Sequence, residues 1–414
     1  MVRTRDEMDE RPRNLKAMLS EAKDTSELMV DLGYASIFFA DERMADEVRE
    51  LEETLTELVH EMRAICVLAG RSKRDAEQIA SVLHVVSAIE RMGNAAVDIS
   101  RIVTHHLGIP AALVADLGDA EEVSHRVRVR EESALANRSL EDVELPMEVG
   151  MRVVAIRRGR EWIIDPDGDE LLLADDVLIL RGVREGIDEV RVLAGAPQWR
   201  RAAIEENPAL SDLDRAVDVL VDMKNVSEAS VGLAYSALLL NDQGLAAQVT
   251  QLEDRLDEMR EQLELWVLRA GADTVDPSGL RGLLHLGSAA EEVGDASQQL
   301  VWLVEEEEEI HPVLAAALGE AEEVFVRYPI GEESALDGAT MTGSQLGDDT
   351  GFHLLAVYRG GRYFYRPRRV TLAAGDEILA TGPWEGRAEL AQQCGFHLLE
   401  DDDTGVVELV PSGQ

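Results

Sequence analysis

Two hydrophobic periods alternate along the chain. From residue 14 to about 110 the apolar positions recur every three or four residues. Met18, Ala22, Leu28, Met29, Leu32 and Ile37 make one stripe, and Val48, Leu51, Leu55, Leu58 and Met62 make the next. This spacing predicts successive amphipathic helices. Asp41-Glu42-Arg43 and Arg71-Ser72-Lys73-Arg74 mark the turns between them. Asp75, with Gln78 three residues on, reads as the N-cap of a third helix, Ala76 to Val103, which Gly108-Ile109-Pro110 ends. Three long helices with short connections predict an antiparallel bundle over 14–112. From Ser124 the period falls to two. His125 to Arg130 alternates as a strand, and Val153 to Ile164 reads as a hairpin turning at Arg158-Gly159-Arg160. Asp165-Pro166-Asp167-Gly168 is a turn, Val177 to Leu180 is a buried strand, and Ala134 to Val143 is expected to be the one helix among them. This β-rich unit covers 122–194, and a linker follows near Ala194 to Pro208.

The same order then returns. Glu132-Ser133-Ala134-Leu135 reappears 201 positions on as Glu333-Ser334-Ala335-Leu336. The same shift brings Leu32-Gly33-Tyr34-Ala35 onto Leu233-Ala234-Tyr235-Ser236, and Arg158-Gly159 onto Arg359-Gly360. One deletion between Pro367 and Ala374 then moves Ala174-Asp175-Asp176 onto Ala374-Gly375-Asp376. Such a register is the mark of internal duplication. The fold class is therefore α+β: three-helix bundles at 14–112 and 207–312 alternate with small β-rich domains at 122–194 and 322–399. A domain of about 70 residues has little core of its own. The two β-rich domains are expected to share one fold and to pair, within the chain or between chains.

Charge narrows the function classes. The formal charge is −42, from 82 Asp and Glu against 40 Lys and Arg. Lysine is nearly absent, with only Lys16, Lys23, Lys73 and Lys224. Such a surface resembles those of proteins from salt-in halophiles, where a Debye length of about 3 Å screens self-repulsion. It carries no basic stripe for a nucleic-acid backbone, so no nucleic-acid partner is expected. Glu305 to Glu309 reads as a solvated helix end, with cation attraction as the alternative, and Glu400 to Asp403 reads as solvated surface. Cys66 and Cys394 occupy non-corresponding places and give neither a disulfide framework nor metal spacing. No apolar run approaches 18 residues, and Met1 to Asn14 has no signal-like apolar core. A cytoplasmic chain is expected, with any membrane span supplied by a partner.

The β-rich units resemble the RCK-C or TrkA-C regulatory module of potassium-conductance proteins. The resemblance rests on the strand followed by Glu-Ser-x-Leu, on Ala155-Ile156-Arg157-Arg158-Gly159, on Asp165-Pro166 and on Ala174-Asp175-Asp176-Val177-Leu178-Ile179-Leu180. In the second copy Ala356-Val357-Tyr358-Arg359-Gly360, Arg366-Pro367 and Ala374-Gly375-Asp376-Glu377-Ile378-Leu379 stand in these places. The helical units resemble PhoU-type bundles through Ala88-Ile89-Glu90-Arg91-Met92-Gly93-Asn94. Together these resemblances imply a soluble regulatory subunit that senses a small ligand and controls a membrane cation transporter or channel, most naturally for potassium. They also imply a homodimer or higher oligomer. The alternative they leave is a PhoU-like metal-binding adaptor in phosphate signalling. No GxGxxG follows a strand, so a Rossmann route to NAD is not supported.

Two candidate sites follow. PhoU-like bundles imply metal held by acids four apart on one helix face; here Glu90 and Asp98 flank Asn94, and Glu291 and Asp295 precede Gln299. Each copy lacks one acid, so a divalent metal and a solvated role both stay open. The RCK-C resemblance implies a clamp between paired modules for cyclic di-AMP or another nucleotide, which needs cations for phosphates and apolar surface for bases. Ile156, Arg157, Arg158, Ile163 and Ile164 are the candidates in the first copy, and Tyr358, Arg359, Tyr363 and Arg366 in the second. Plain surface arginines are the competing reading. His60, His84, His285 and His353 show no ligand or catalytic spacing, no nucleophile–base pair or phosphate loop is present, and no enzyme is expected.

Overall fold

The computed structural model describes residues 14–108, 110, 113, 122–159, 161–184, 186–197, 212–272, 277–307, 310–318, 323–332, 334–340, 350–360, 362–364, 370–400 and 407–411. Helices α1 (Leu15–Phe39), α2 (Glu42–Ala69) and α3 (Lys73–Thr104) form the first bundle. Local chemistry sets their ends. Asn14 caps α1 by accepting from Ala17 N at 2.8 Å. Ala40 turns the chain with φ 48°, a left-handed value that releases Asp41 to cap α2 through Arg43 N (3.1 Å) and Met44 N (3.4 Å). The cap of α3 is Ser72, which accepts from Asp75 N at 3.1 Å. The helix thus begins three residues before the start expected at Ala76. Serine won because its short hydroxyl reaches the N3 amide without bending the chain.

The first β-rich domain holds β1 (Glu122–Arg128), α4 (Leu140–Val143), α5 (Leu145–Val149), β2 (Met151–Arg158), β3 (Glu161–Ile164), β4 (Val177–Val183) and α6 (Gly186–Leu193). The helix expected over Ala134 to Val143 is mostly turns, with only α4 helical within it and α5 following. Asn137 at φ 63° interrupts it before α4, and Glu144 at φ 44° separates α4 from α5. The second half contains α7 (Asp212–Leu240), α8 (Gln243–Ala272), α9 (Arg281–Glu305), α10 (Pro312–Leu318), β5 (Glu323–Pro329), β6 (His353–Arg359), β7 (Arg362–Phe364), β8 (Glu377–Pro383) and α11 (Arg387–Gln393). A hairpin of β9 (Phe396–Glu400) and β10 (Val407–Pro411) follows.

The two antiparallel sheets have the same order, β1-β4-β2-β3 and β5-β8-β6-β7. Each carries a bulge at the same place, between Val153 and Ala155 and between Leu354 and Ala356. The bulge lets neighbouring residues split between faces. Ile156, Leu178 and Leu180 turn to the domain's own core, whereas Val154, Ala155 and Ile179 join the large helical core. Leu355, Ala356 and Leu379 do the same in the second copy. Each sheet is therefore sandwiched between its short helices and the bundles.

The halves pack about a pseudo-twofold axis. Arg91 Nη2 lies 2.7 Å from Glu292 Oε1 and 2.8 Å from Asp295 Oδ2. Arg91 and Glu292 are 201 positions apart, so one position meets its own duplicate. That is possible only on the axis. Two buried lysines then exchange across it. Lys23, fully buried, sits 2.6 Å from Glu27 Oε2 and 5.5 Å over the Tyr235 ring. Its duplicate Lys224 sits 2.6 Å from Glu228 Oε2 and 5.1 Å over the Tyr34 ring. A buried ammonium is tolerable when a carboxylate and a ring face it together. Close approach inside each bundle is glycine-made. A Cβ on Gly93 would come 2.5 Å from Leu55 Cδ2, and the corresponding Gly294 faces Leu256 in the same way.

Candidate functional site

The site begins at the turns between the first two helices of each bundle, because there each β-rich domain is bolted on. Asp41, already capping α2, faces Arg157 Nη1 at 3.7 Å, and Arg126 lies 5.0 Å over the Phe39 ring. In the second copy Asp242 caps α8 through Gly244 N (2.8 Å) and Leu245 N (3.1 Å) with one oxygen. Its other oxygen accepts from Arg327 Nη1 (2.8 Å) and from the Tyr363 hydroxyl (2.7 Å). Burial alone would raise the Asp242 carboxyl; the bonds from Tyr363, Leu245 N, Arg327 and Gly244 N outweigh it and hold it below the usual range. Burial, and then the Asp242 charge, push the Tyr363 hydroxyl up.

The two domains so mounted face each other across an open cleft of about 880 Å³. One wall is Leu140, Glu141, Glu144 to Met147 and Asp165 to Gly168 of the first domain, and the other is Gly351 to His353 and Gly382 to Glu385 of the second. Arg152, Arg181, His353 and Thr381 line its floor and also a smaller cavity of about 120 Å³ beneath, which reaches Asp24, Glu27 and Glu228. Arg152 Nη2 is 3.0 Å from Asp165 Oδ1. Arg181 pairs with Asp31 and lies 3.5 Å from Glu228 Oε1. Six carboxylates line the cleft, from Asp31, Glu141, Glu144, Asp165, Asp167 and Glu385, against these two arginines. Its field is net negative, and both of its guanidinium groups are already engaged.

The sequence-predicted ligand set is not gathered in this cleft. Ile156 is fully buried in its domain core. Ile163 packs on that core and Ile164 on the bundle. Arg157 belongs to the Asp41 contact and lies 5.9 Å over Trp162. Arg158 donates to Asp176 Oδ1 (3.0 Å) and Oδ2 (2.8 Å), to Glu170 (2.8 Å) and to Leu171 O (2.7 Å). Arg359 makes the duplicate contact with Asp376 and with Thr371 O at 2.7 Å. Asp176 and Asp376 are 1% and 2% exposed, so these arginines neutralise buried charges and are not available to a phosphate. The Tyr358 ring lies 4.8 Å from that of Tyr363, tilted by 47°, beneath Arg327, and Tyr363 packs on the helical core. Arg366 lies outside the described residues.

The carboxylates expected to hold metal are each turned to an arginine. Glu90 meets Arg63 at 2.7 Å, Glu291 meets Arg260 at 3.3 Å, Asp295 meets Arg91 at 2.8 Å, and Asp98 meets Arg101. Among the described residues no group of three or more His, Cys, Asp or Glu converges on a metal position. Burial, and then neighbouring Asp257, Asp295 and Asp254, push the Glu253 carboxyl up to about 7. His84 is structural, with its Nε2 2.6 Å from Gln299 O.

Sequence reasoning missed Asp31, Arg152, Arg181 and His353. A signal existed: Arg152 and Arg181 are charged positions inside otherwise buried strands, directly opposite each other in the β2–β4 register. Duplication also marks them, since His353 and Thr381 occupy the corresponding places.

Comparison with known proteins follows the same division. The PhoU domain model matches residues 19–103 and 220–301, and the TrkA-C domain model matches 125–195 and 325–395. The Ktr system potassium uptake protein C of Bacillus subtilis (strain 168) is 31% identical over 85 residues, covering 20% of this chain and 38% of that protein. The chain thus matches well under half the length of this curated relative. The crystal structure of PhoU from Pseudomonas aeruginosa is 16% identical, covers 70% of this chain and 93% of that one, and has a TM-score of 0.36. The GsuK RCK domain is 14% identical, covers 69% and 70% respectively, and has a TM-score of 0.17. No helix among the described residues is long and apolar enough to cross a membrane.

Proposed function

A chain of two PhoU domains alternating with two TrkA-C domains is, we propose, a regulatory subunit of a membrane potassium transporter or channel that senses a small ligand between its TrkA-C domains. Two findings support the potassium assignment: the TrkA-C matches and the shared segment with the Bacillus potassium uptake protein. One observation carries the sensing: the open cleft of about 880 Å³ between the two domains. A ligand that bridges its walls changes the spacing of the domains. Each domain is fixed to a different bundle, through Asp41 or through Asp242, so that spacing biases how the bundles are held. Regulation is then a population shift set by the ligand's preference for one spacing.

The charge of the cleft selects the ligand. Six carboxylates against two engaged arginines favour a neutral or cationic small molecule. Cyclic di-AMP would have to displace Asp165 from Arg152 or Asp31 from Arg181 before either could hold a phosphate. The test is calorimetry on the purified chain with diamines, cyclic di-AMP, ATP, NAD and divalent cations. Saturable heat from a diamine, lost in Glu144→Gln/Asp167→Asn, is the expected result. Heat from cyclic di-AMP, lost in Arg152→Ala, would keep the sensing site and reverse its charge preference. A divalent cation lost in Glu291→Gln would favour the metal-binding adaptor. No heat from any of these removes the sensing reading and leaves the TrkA-C pair as an assembly element.

A further inference from the structure

The two TrkA-C domains are seated on the helices in different ways. On the second side the seat is a close apolar fit. Gly232 of α7 leaves the space that Leu355 of β6 fills, since a Cβ there would come 3.0 Å from Leu355 Cδ2. Leu355 is 5% exposed and belongs to the helical core. On the first side Asp31 of α1 stands in the place of Gly232. It pairs with Arg181 of β4, whose guanidinium also lies 3.5 Å from Glu228 Oε1 of α7, a helix of the other half. Glu228 in turn holds Lys224 at 2.6 Å, and Lys224 lies 5.1 Å over the Tyr34 ring of α1. Arg181 thus ties the sheet of the first domain into a line of charges that crosses the axis. The second domain has no such tie at this place. Thr381 replaces Arg181, and its buried hydroxyl makes no hydrogen bond among the described residues.

We propose that Arg181 is a latch: it holds the first TrkA-C domain against the other half, and its release from Glu228 passes a change in the cleft across the axis. The two seats differ in what it takes to part them. A leucine fitted against a glycine cannot move without opening a void in a close-packed core. The Arg181 side chain is 21% exposed and lines the floor of an open cleft, so water can take the place of one carboxylate as the ions separate. The first domain is therefore the moving part. On release it stays with its own bundle through Asp31, the Arg157 contact with Asp41 and Arg126 over Phe39. It moves away from α7, and the cleft widens. The walls also meet where Gly351 brings its backbone against Pro146: a Cβ on Gly351 would come 2.8 Å from Pro146 O. That contact has no ion pair to break and serves as the pivot. The proposal rests on the sensing reading for its trigger, whereas the latch itself is a property of the ligand-free chain.

The experiment is a spin-label distance measurement on the full, ligand-free chain. The labels sit at Asp169→Cys and Glu389→Cys, exposed residues of the two domains outside the cleft lining, with Cys66→Ala and Cys394→Ala to leave no other thiol. This parent should give one narrow distribution. Arg181→Thr, which copies the second domain, should shift it to longer distance and broaden it. Glu228→Gln should do the same, because glutamine still accepts from Lys224 but no longer attracts the guanidinium. The double variant should move it no further than the larger single change, since both remove one contact. Arg128→Ala, on β1 of the same sheet and paired with exposed Asp175, should leave it unchanged, with circular dichroism confirming every fold. An unchanged distribution in folded Arg181→Thr or Glu228→Gln overturns the latch, as does an equal shift in Arg128→Ala. The sensing reading fails separately: a shift here without calorimetric heat keeps the latch and removes its ligand, and heat without a shift keeps the ligand and removes the latch.

Discussion

The two halves of this chain keep some contacts identical and have rewritten others. Arg158 on Asp176 and Arg359 on Asp376 are the same staple, tying the end of β2 or β6 to the turn before the last strand. Lys23 and Lys224 exchange across the axis in the same way. The docking at Asp41 and Asp242 keeps its place but changes its chemistry, from one arginine at 3.7 Å to an arginine and a tyrosine hydroxyl. The cleft floor is not kept at all: Asp31, Arg152 and Arg181 face Gly232, His353 and Thr381. Contacts that desolvate a charge allow few substitutes, because a lost partner leaves a buried ion. Exposure alone does not sort the two classes, since Asp31 and Arg181 of the rewritten floor are 14% and 21% exposed while Arg359 of the kept staple is 42% exposed. What the kept contacts share is a nearly fully buried charge, on Asp176, Asp376, Lys23 or Lys224, and the cleft is a one-sided site within a two-sided frame.

The largest expected effect tests the staple. Arg158→Ala and Arg359→Ala each strand a buried carboxylate and should cost about 3 kcal/mol in urea unfolding. Asp376 is pushed up by burial, but its bonds from Arg359 and Ala373 N hold it below the usual carboxylate range. Its share of stability is therefore present above that range and is lost as pH falls through its lowered value. An Arg359→Ala protein as stable as the parent would break the equivalence of the copies.

Next come the lysines. Lys23→Ala and Lys224→Ala should cost roughly 2–3 kcal/mol, with Lys23 the larger because it is fully buried and its duplicate keeps 8% side-chain exposure. Lys→Arg should rescue neither, since a planar guanidinium is broader than the ammonium held between carboxylate and ring. Full rescue by arginine would mean that charge alone matters there.

Gly93→Ala and Gly294→Ala press a methyl against Leu55 or Leu256 and should cost about 1–2 kcal/mol each. The partners are leucine tips that can move, which limits the penalty. A loss in one copy only would show that the bundles pack differently.

The smallest effect is a pH slope. Glu253, raised to about 7, holds its proton better in the folded protein than in the unfolded chain. Stability from this group is therefore present at low pH and falls as pH rises from the normal glutamate value towards 7. Glu253→Gln should raise the melting temperature at pH 8 and leave it unchanged at pH 4. The first copy has Thr56 where Asp257 stands, so this repulsion belongs to one bundle alone. An unchanged melting temperature at pH 8 would remove that asymmetry.

The duplication, the two kinds of unit, the helices and the repeated strand order are all legible in the residue pattern, because period and register are local properties that survive divergence. The same pattern also pointed to the arginines and acids that matter, but it could not say what they face. Arg158 looked like a phosphate ligand because nothing local reveals that Asp176 is buried 18 positions away. Glu90 and Asp295 looked like metal ligands because Arg63 and Arg91 reach them from other helices. The helix expected from Ala134 to Val143 is broken at Asn137, whose φ is 63° and whose N–H donates to Leu172 O 35 positions away. Which charges are cancelled, and which are left to line a cleft, is decided by contacts between distant segments. Only the tertiary structure, where the twofold brings Asp31, Arg181 and Glu228 together, decides it.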